Sequence, residues 1–110
     1  MDKNLFRTWC DVSVDNVLYN FNQFRKIAPK SKIMCVVKSD AYGHGACELA
    51  LELEKAGADA FAVAFAEEAI QLRNNGVKSQ IMILGYTPSE WISSAVENDI
   101  TLTVYDYKKV

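Results

Sequence analysis

The chain has 110 residues, half of them apolar and 24% charged, with a formal net charge of -2. That length suits one small domain, and the charge balance offers nothing to draw nucleic acid or an anionic membrane. No apolar segment reaches the ~20 residues of a membrane-spanning helix, and "MDKNLFRTWCDV" lacks the apolar core of a signal peptide, so the cytoplasm is expected. Cys10, Cys35 and Cys47 are odd in number and match no paired metal motif, and they read as small apolar residues in a reducing compartment. His44 is the only histidine, so no metal site is expected.

"TWCDVSV" alternates from Thr8 to Val14 and reads as a strand. Asp15 is a candidate N-cap for a helix to residue 28, with Val17, Phe21, Phe24 and Ala28 on one face. Pro29 ends that helix. "KIMCVVK", residues 32–38, is a continuous apolar run ending in lysine, which suits a strand covered on both faces. The next helix, 46–56, places Leu49, Leu53 and Ala56 on one face and stops at Gly57. A short strand follows at 60–63. The helix at 67–75 has acids in its first turn and Gly76 behind it. A third strand runs over 81–84. Thr87, Pro88 and Glu90 spell a capping box for a helix that buries Ile92, Ala95 and Val96. "TLTV", 101–104, is the last strand.

Short apolar strands alternating with amphipathic helices predict right-handed βαβ units and a parallel α/β sheet. The strand spacing fits a doubly wound sheet and a (β/α)8 barrel equally. If the fold is a barrel, about half of it lies outside this sequence. Four strands alone would leave an open sheet with an unpaired edge.

Chemistry in such folds collects at the C-terminal ends of strands, where this reading places Lys38. Desolvation there would lower its pKa and leave some of the amine neutral, as a nucleophile requires. Tyr42 lies four residues on, with a hydroxyl that donates to a phosphate or carboxylate. Gly43 and Gly45 permit close backbone approach, and the following helix offers its N-terminus to an anion. A lysine ending a strand also occurs as a plain solvated terminus, and "GHG" as a plain turn. The stretch has neither a P-loop ending nor a GxGxxG spacing.

"VVKSDAYGHG", residues 36–45, closely resembles the pyridoxal-phosphate attachment motif of alanine racemases. In that motif the lysine is followed by Ala, Asp or Asn, a small residue and Tyr-Gly-His-Gly. "TWCDVSVDNVLYNF", "LELEKAGADAFAVAFAEEAIQLR" and "ILGYTP" resemble further parts of the family's opening. The likeness covers nearly the whole chain but only the first third or so of a typical member. Ser39 departs from the usual alanine.

The resemblance implies the N-terminal part of a (β/α)8 TIM barrel of the type III pyridoxal-phosphate fold. One strand and helix, 8–28, would precede it, and a C-terminal β domain lies outside the sequence. The opening strand would pair with that absent domain. Lys38 would bind pyridoxal 5'-phosphate covalently and serve as acid or base on one face of the substrate. Tyr42 would contact the cofactor phosphate, Leu84 would pack near its ring, and His44 would order the loop. The implied function is interconversion of L- and D-alanine, supplying D-alanine for peptidoglycan, with a homodimer expected of the full-length protein. The tyrosine base for the opposite face would lie beyond Val110. The 110 residues alone are therefore expected to be a fragment without full activity, unstable or self-associating through exposed apolar surface. Two alternatives remain. Serine racemases of the same family share the motif, and non-enzymatic pyridoxal-phosphate-binding barrel proteins share the lysine but lack the Tyr-Gly-His-Gly.

Overall fold

The computed structural model describes residues 6–109. Four parallel strands form one sheet in chain order: β1 (Met34–Val36), β2 (Ala60–Val63), β3 (Gln80–Ile83) and β4 (Ile100–Thr101). Helices α1 (Val14–Ile27), α3 (Ala46–Lys55), α4 (Ala66–Asn74) and α5 (Ile92–Glu97) lead into or connect them, and a short turn of helix, α2 (Lys38–Tyr42), follows β1 directly. Each connecting helix packs against the next, α3 on α4 and α4 on α5, while α1 packs on α3. The result is an α/β half-layered shell, 20 Å in its thinnest dimension.

The register places Cys35, Phe61 and Ile81 side by side and, one step along, Met34 beside Ala60 and Gln80. Side chains alternate along a strand, so the first row faces the helices and the second faces the other way. The helix-facing row is the core. Phe61, Val63, Ile81 and Ile83 are fully buried with Leu72 and Val77, each such side chain contributing about 1.5–3 kcal/mol by leaving water. On the opposite, concave face Met34 and Val36 remain more than two-fifths exposed.

Several expectations are corrected. Residues 8–13 meet no neighbouring strand among the described residues; the partner expected for them belongs to a β domain outside this sequence. The α1 cap is Ser13, whose Oγ accepts from Asn16 N–H at 3.2 Å, two residues before the expected Asp15. The ladder over 32–38 is confined to Met34–Val36, with Val37 N–H still donating to Ala62 O at 2.9 Å. The capping box at Thr87–Glu90 is replaced by a 3-10 turn, Ser89–Trp91, so α5 begins only at Ile92. Ala95 is buried as expected, whereas Val96 is exposed. Likewise Ala56 and Phe24 are exposed, while Ala50 of α3 is fully buried.

Arginines close the edge of the sheet where its strands begin. Arg73 donates to the carbonyls of Val77, Ser79, Asn98 and Asp99 at 2.7–3.0 Å. Arg25 reaches the carbonyls of Ser31 and Gly57 and the Asp59 carboxylate. Asp59 accepts in turn from Ile33 N–H at 2.7 Å, and that bond, followed by Arg25, holds its carboxyl below the usual range.

Candidate active site at the end of the first strand

Lys38 is the second residue after Val36; the extended backbone ends at Val37, whose ψ is 25°, and Lys38 is half-buried. The ladder continues past the formal strand ends, since Leu84 N–H donates to Val63 O at 2.8 Å and Gly85 N–H to Ala64 O at 3.0 Å. Lys38, Ala64 and Leu84 each follow the last paired residue of β1, β2 and β3 by one or two positions, so all three lie at the C-terminal edge of the sheet. Leu84 is 39% exposed, so its side chain offers an apolar wall on the open face. Gly85 lets the third strand approach so closely: a Cβ there would lie 2.5 Å from Ala64 O.

The chain leaves Lys38 in an unusual way. Ser39, Asp40, Ala41 and Tyr42 all have φ between +53° and +58°, and Gly43 follows at +91°. This is a turn of left-handed helix, in which each L-residue brings its Cβ against a carbonyl at about 1–2 kcal/mol. Hydrogen bonds within the turn hold it: Ala41 N–H to Val37 O, Gly43 N–H to Ser39 O and His44 N–H to Ala41 O, at 2.9–3.1 Å. His44 adds its Nδ1 at 2.9 Å from the same Ala41 oxygen, so the Nδ1–H tautomer donates there. The ring thus folds back on the turn.

Two carboxylates pin the turn from outside. Asp40 Oδ1 accepts from Ala46 N–H at 2.8 Å, the first residue of α3. Glu68 of α4 accepts from Ser39 N–H at 2.6 Å with one oxygen and from Ala64 N–H at 2.7 Å with the other. A hydrogen bond to a charged partner typically contributes about 1.5–3 kcal/mol, enough to offset much of the strain. The expectation that the α3 N-terminus receives an outside anion is revised, because the chain's own Asp40 carboxylate already caps it, with Glu48 in the same first turn.

Tyr42 ends the left-handed turn and is 61% exposed at the rim of the face. The structure therefore brings Lys38 and Leu84 to the same edge of the sheet and carries Tyr42 on the turn that begins at the lysine. Glu68 was not singled out from the sequence. Its only local signal was an acid in the first turn of a helix just after a strand.

Other features lack this convergence. An apolar groove of about 540 Å3 runs between α1 and β1, lined chiefly by residues such as Phe21, Phe24, Ile27 and Met34. Cys35 borders it and Cys47 lies on α3; burial pushes both thiols up, which suits packing rather than nucleophilic use. Among the described residues no three His, Cys, Asp or Glu side chains gather as metal ligands, and no helix is long and apolar enough to cross a membrane.

Comparison with known proteins follows the same lines. The family described as alanine racemase, N-terminal domain, matches residues 12–110. Alanine racemase 1 of Caldanaerobacter subterraneus subsp. tengcongensis is 49% identical over 102 residues, covering 92% of this chain and 26% of that protein. Alanine racemase 1 of Oceanobacillus iheyensis is 47% identical over 98 residues, covering 88% and 26%. Among solved structures, alanine racemase of Clostridium difficile 630 superposes with a TM-score of 0.89 at 42% identity, over 94% of this chain and 27% of that one. The Bacillus anthracis alanine racemase, solved with bound L-Ala-P, gives 0.82 at 36% identity, over 87% and 25%. The chain thus spans about a quarter of the length of the relatives it matches. Its four-stranded sheet is the N-terminal part of a (β/α)8 barrel.

Proposed function

The chain belongs to the alanine racemase family through that family's N-terminal domain, and from this premise we propose that it forms the lysine-bearing part of a pyridoxal-phosphate-dependent racemase interconverting L- and D-alanine. The observation that carries the reading is Lys38: a half-buried amine just past the C-terminal end of β1, followed by a pinned turn.

The residues present suit the cofactor. Lys38 Nζ would hold its aldehyde carbon, Leu84 would cover part of its ring, and the Tyr42 hydroxyl would donate to its phosphate. Ala64, the first residue after β2 at the same edge, is small and would leave space there that a larger side chain would fill. When bound, the group withdraws electrons from the α-carbon of an attached amino acid and loosens its proton. Lys38 would take that proton at the α-carbon on the face it reaches, or return it there. A half-buried setting excludes part of the water that would otherwise solvate the amine. Inversion needs a second base on the opposite face, and in this reading it comes from another part of the full-length protein, together with the remaining barrel strands and a β-rich domain. The same family reading makes the full-length protein a cytoplasmic homodimer that supplies D-alanine to peptidoglycan.

The test is borohydride reduction after incubation with pyridoxal phosphate, then peptide mass mapping, on the wild-type chain and Lys38→Ala. A pyridoxyl label concentrated on Lys38 and lost in the variant is the expected result. Label spread evenly over Lys26, Lys32, Lys55 and the other lysines would refute the assignment.

A further inference from the structure

We propose that Glu68 is the positioning residue for Lys38, setting the amine through the backbone on either side of it. This rests on the functional reading above and goes beyond it. Glu68 sits three residues after Phe65, the N-cap of α4. Its Oε1 bond to Ala64 N–H alone would be an ordinary helix-start clasp. The Oε2 bond is different. It reaches Ser39 N–H, 29 residues earlier, on another connection of the sheet.

Those two amides flank the site. Ser39 is the residue directly after Lys38, and Ala64 is the first residue after β2, the strand paired with β1. One rigid carboxylate thereby ties the exit of the lysine to the floor beside it. Without that tie, Ser39 N–H points from a positive-φ residue with no other acceptor given to it. The left-handed turn then loses the contact that fixes it against the first turn of α4. Relaxing Ser39 toward the ordinary right-handed region would rotate the peptide that follows Lys38 and re-aim its side chain. Glu68 never needs to touch substrate or cofactor to do this. A lysine stem has four rotatable bonds, so a fixed backbone is the main means of limiting where its amine goes.

The experiment compares wild type, Glu68→Gln, Glu68→Ala and Glu54→Ala. Glu54 is the control, since it accepts from Lys78 and Ser79 N–H in the same manner at the far end of the sheet. Two quantities are read: amide hydrogen exchange at Ser39 and Ala64, and the share of pyridoxyl label on Lys38 against Lys55. In Glu68→Ala the Ser39 amide should exchange about tenfold faster or more, the scale of one lost hydrogen bond to a charge. The Lys38 share should fall toward that of Lys55. Glu68→Gln keeps one acceptor oxygen and should fall between. Glu54→Ala should lower the melting temperature yet leave both readings as in wild type. Unchanged Ser39 exchange, label that stays on Lys38 in Glu68→Ala, or an equal loss in Glu54→Ala would each overturn the proposal. If wild type itself shows no preference for Lys38, the cofactor reading fails, and the exchange rate at Ser39 alone then decides the role of Glu68.

Discussion

Asp40 Oδ1 accepts the Ala46 N–H at 2.8 Å, and through that bond the left-handed turn after Lys38 supplies the cap of the helix that follows it. The same residue's carbonyl accepts from Gly45 N–H at 2.9 Å, so Asp40 closes the loop 40–46 with both its backbone and its side chain. Removing the carboxylate in Asp40→Ala should lower stability by about 1 kcal/mol, as for other lost N-caps. Asp40→Asn keeps an acceptor oxygen and should lose less than half of that. Urea midpoints of the three chains decide it, and equal losses in both variants would mean that charge, not the capping bond, matters.

Gly85 is required by space. A Cβ there would stand 2.5 Å from Ala64 O, a backbone atom that does not swing aside. Gly85→Ala should destabilise by about 1–3 kcal/mol, the range of overpacked interiors. It should also push Leu84 away from Ala64 and so reduce the labelling of Lys38 by pyridoxal phosphate. Thermal melting and peptide mapping on one sample test both halves.

Acid should loosen the chain partly through Glu54. Burial tends to raise this carboxyl, but the Ser79 hydroxyl and N–H, the Lys78 N–H and the charge of Arg73 together hold it below its ordinary value. A carboxylate whose folded pKa is depressed contributes stability above its unfolded value, about 4.3, and that contribution is lost as pH falls through the folded value. The urea midpoint of wild type should therefore drop as pH falls below the ordinary carboxylate range. Glu54→Gln should start lower at neutral pH and show a shallower drop. Parallel curves for the two chains would rule the assignment out.

The three cysteines should separate by reactivity. Burial raises the thiols of Cys35 and Cys47, which leaves less thiolate at neutral pH. Cys10 is exposed. Timed alkylation with iodoacetamide and mass mapping should show Cys10 modified first, with Cys35 slower, since Cys35 is more deeply placed as well. Uniform rates at all three would indicate that the shell opens faster than the reagent acts.

The sheet was readable because its strands are short apolar runs with polar breaks, and a buried parallel strand has little other way to appear. Ala60–Val63 needed no more than its four residues to be placed. The turn after Lys38 was not readable. Serine, alanine and tyrosine give no hint of positive φ, and only Asp40 and the closing Gly43 belong to types that tolerate it. What holds the turn is tertiary: Glu68 is distant in sequence and meets Ser39 only once β1 and β2 have paired. For Thr8–Val14 the alternation marks residues suited to a strand without supplying a neighbour, and the neighbour expected for it lies outside this sequence. Val96 misled because it stands about 100° around the helix from Ala95, and only Ala95 falls on the buried side.

The left-handed turn also has a stereochemical consequence. Its backbone is close to the mirror image of a normal helical turn, so residues of opposite chirality would sit in it without strain. Ser39 is exposed and its φ is +53°. Installing D-serine at this one position by chemical ligation should therefore stabilise the chain by about 1–2 kcal/mol and leave the amide to Glu68 in place. The native L-serine occupies a site shaped for its enantiomer.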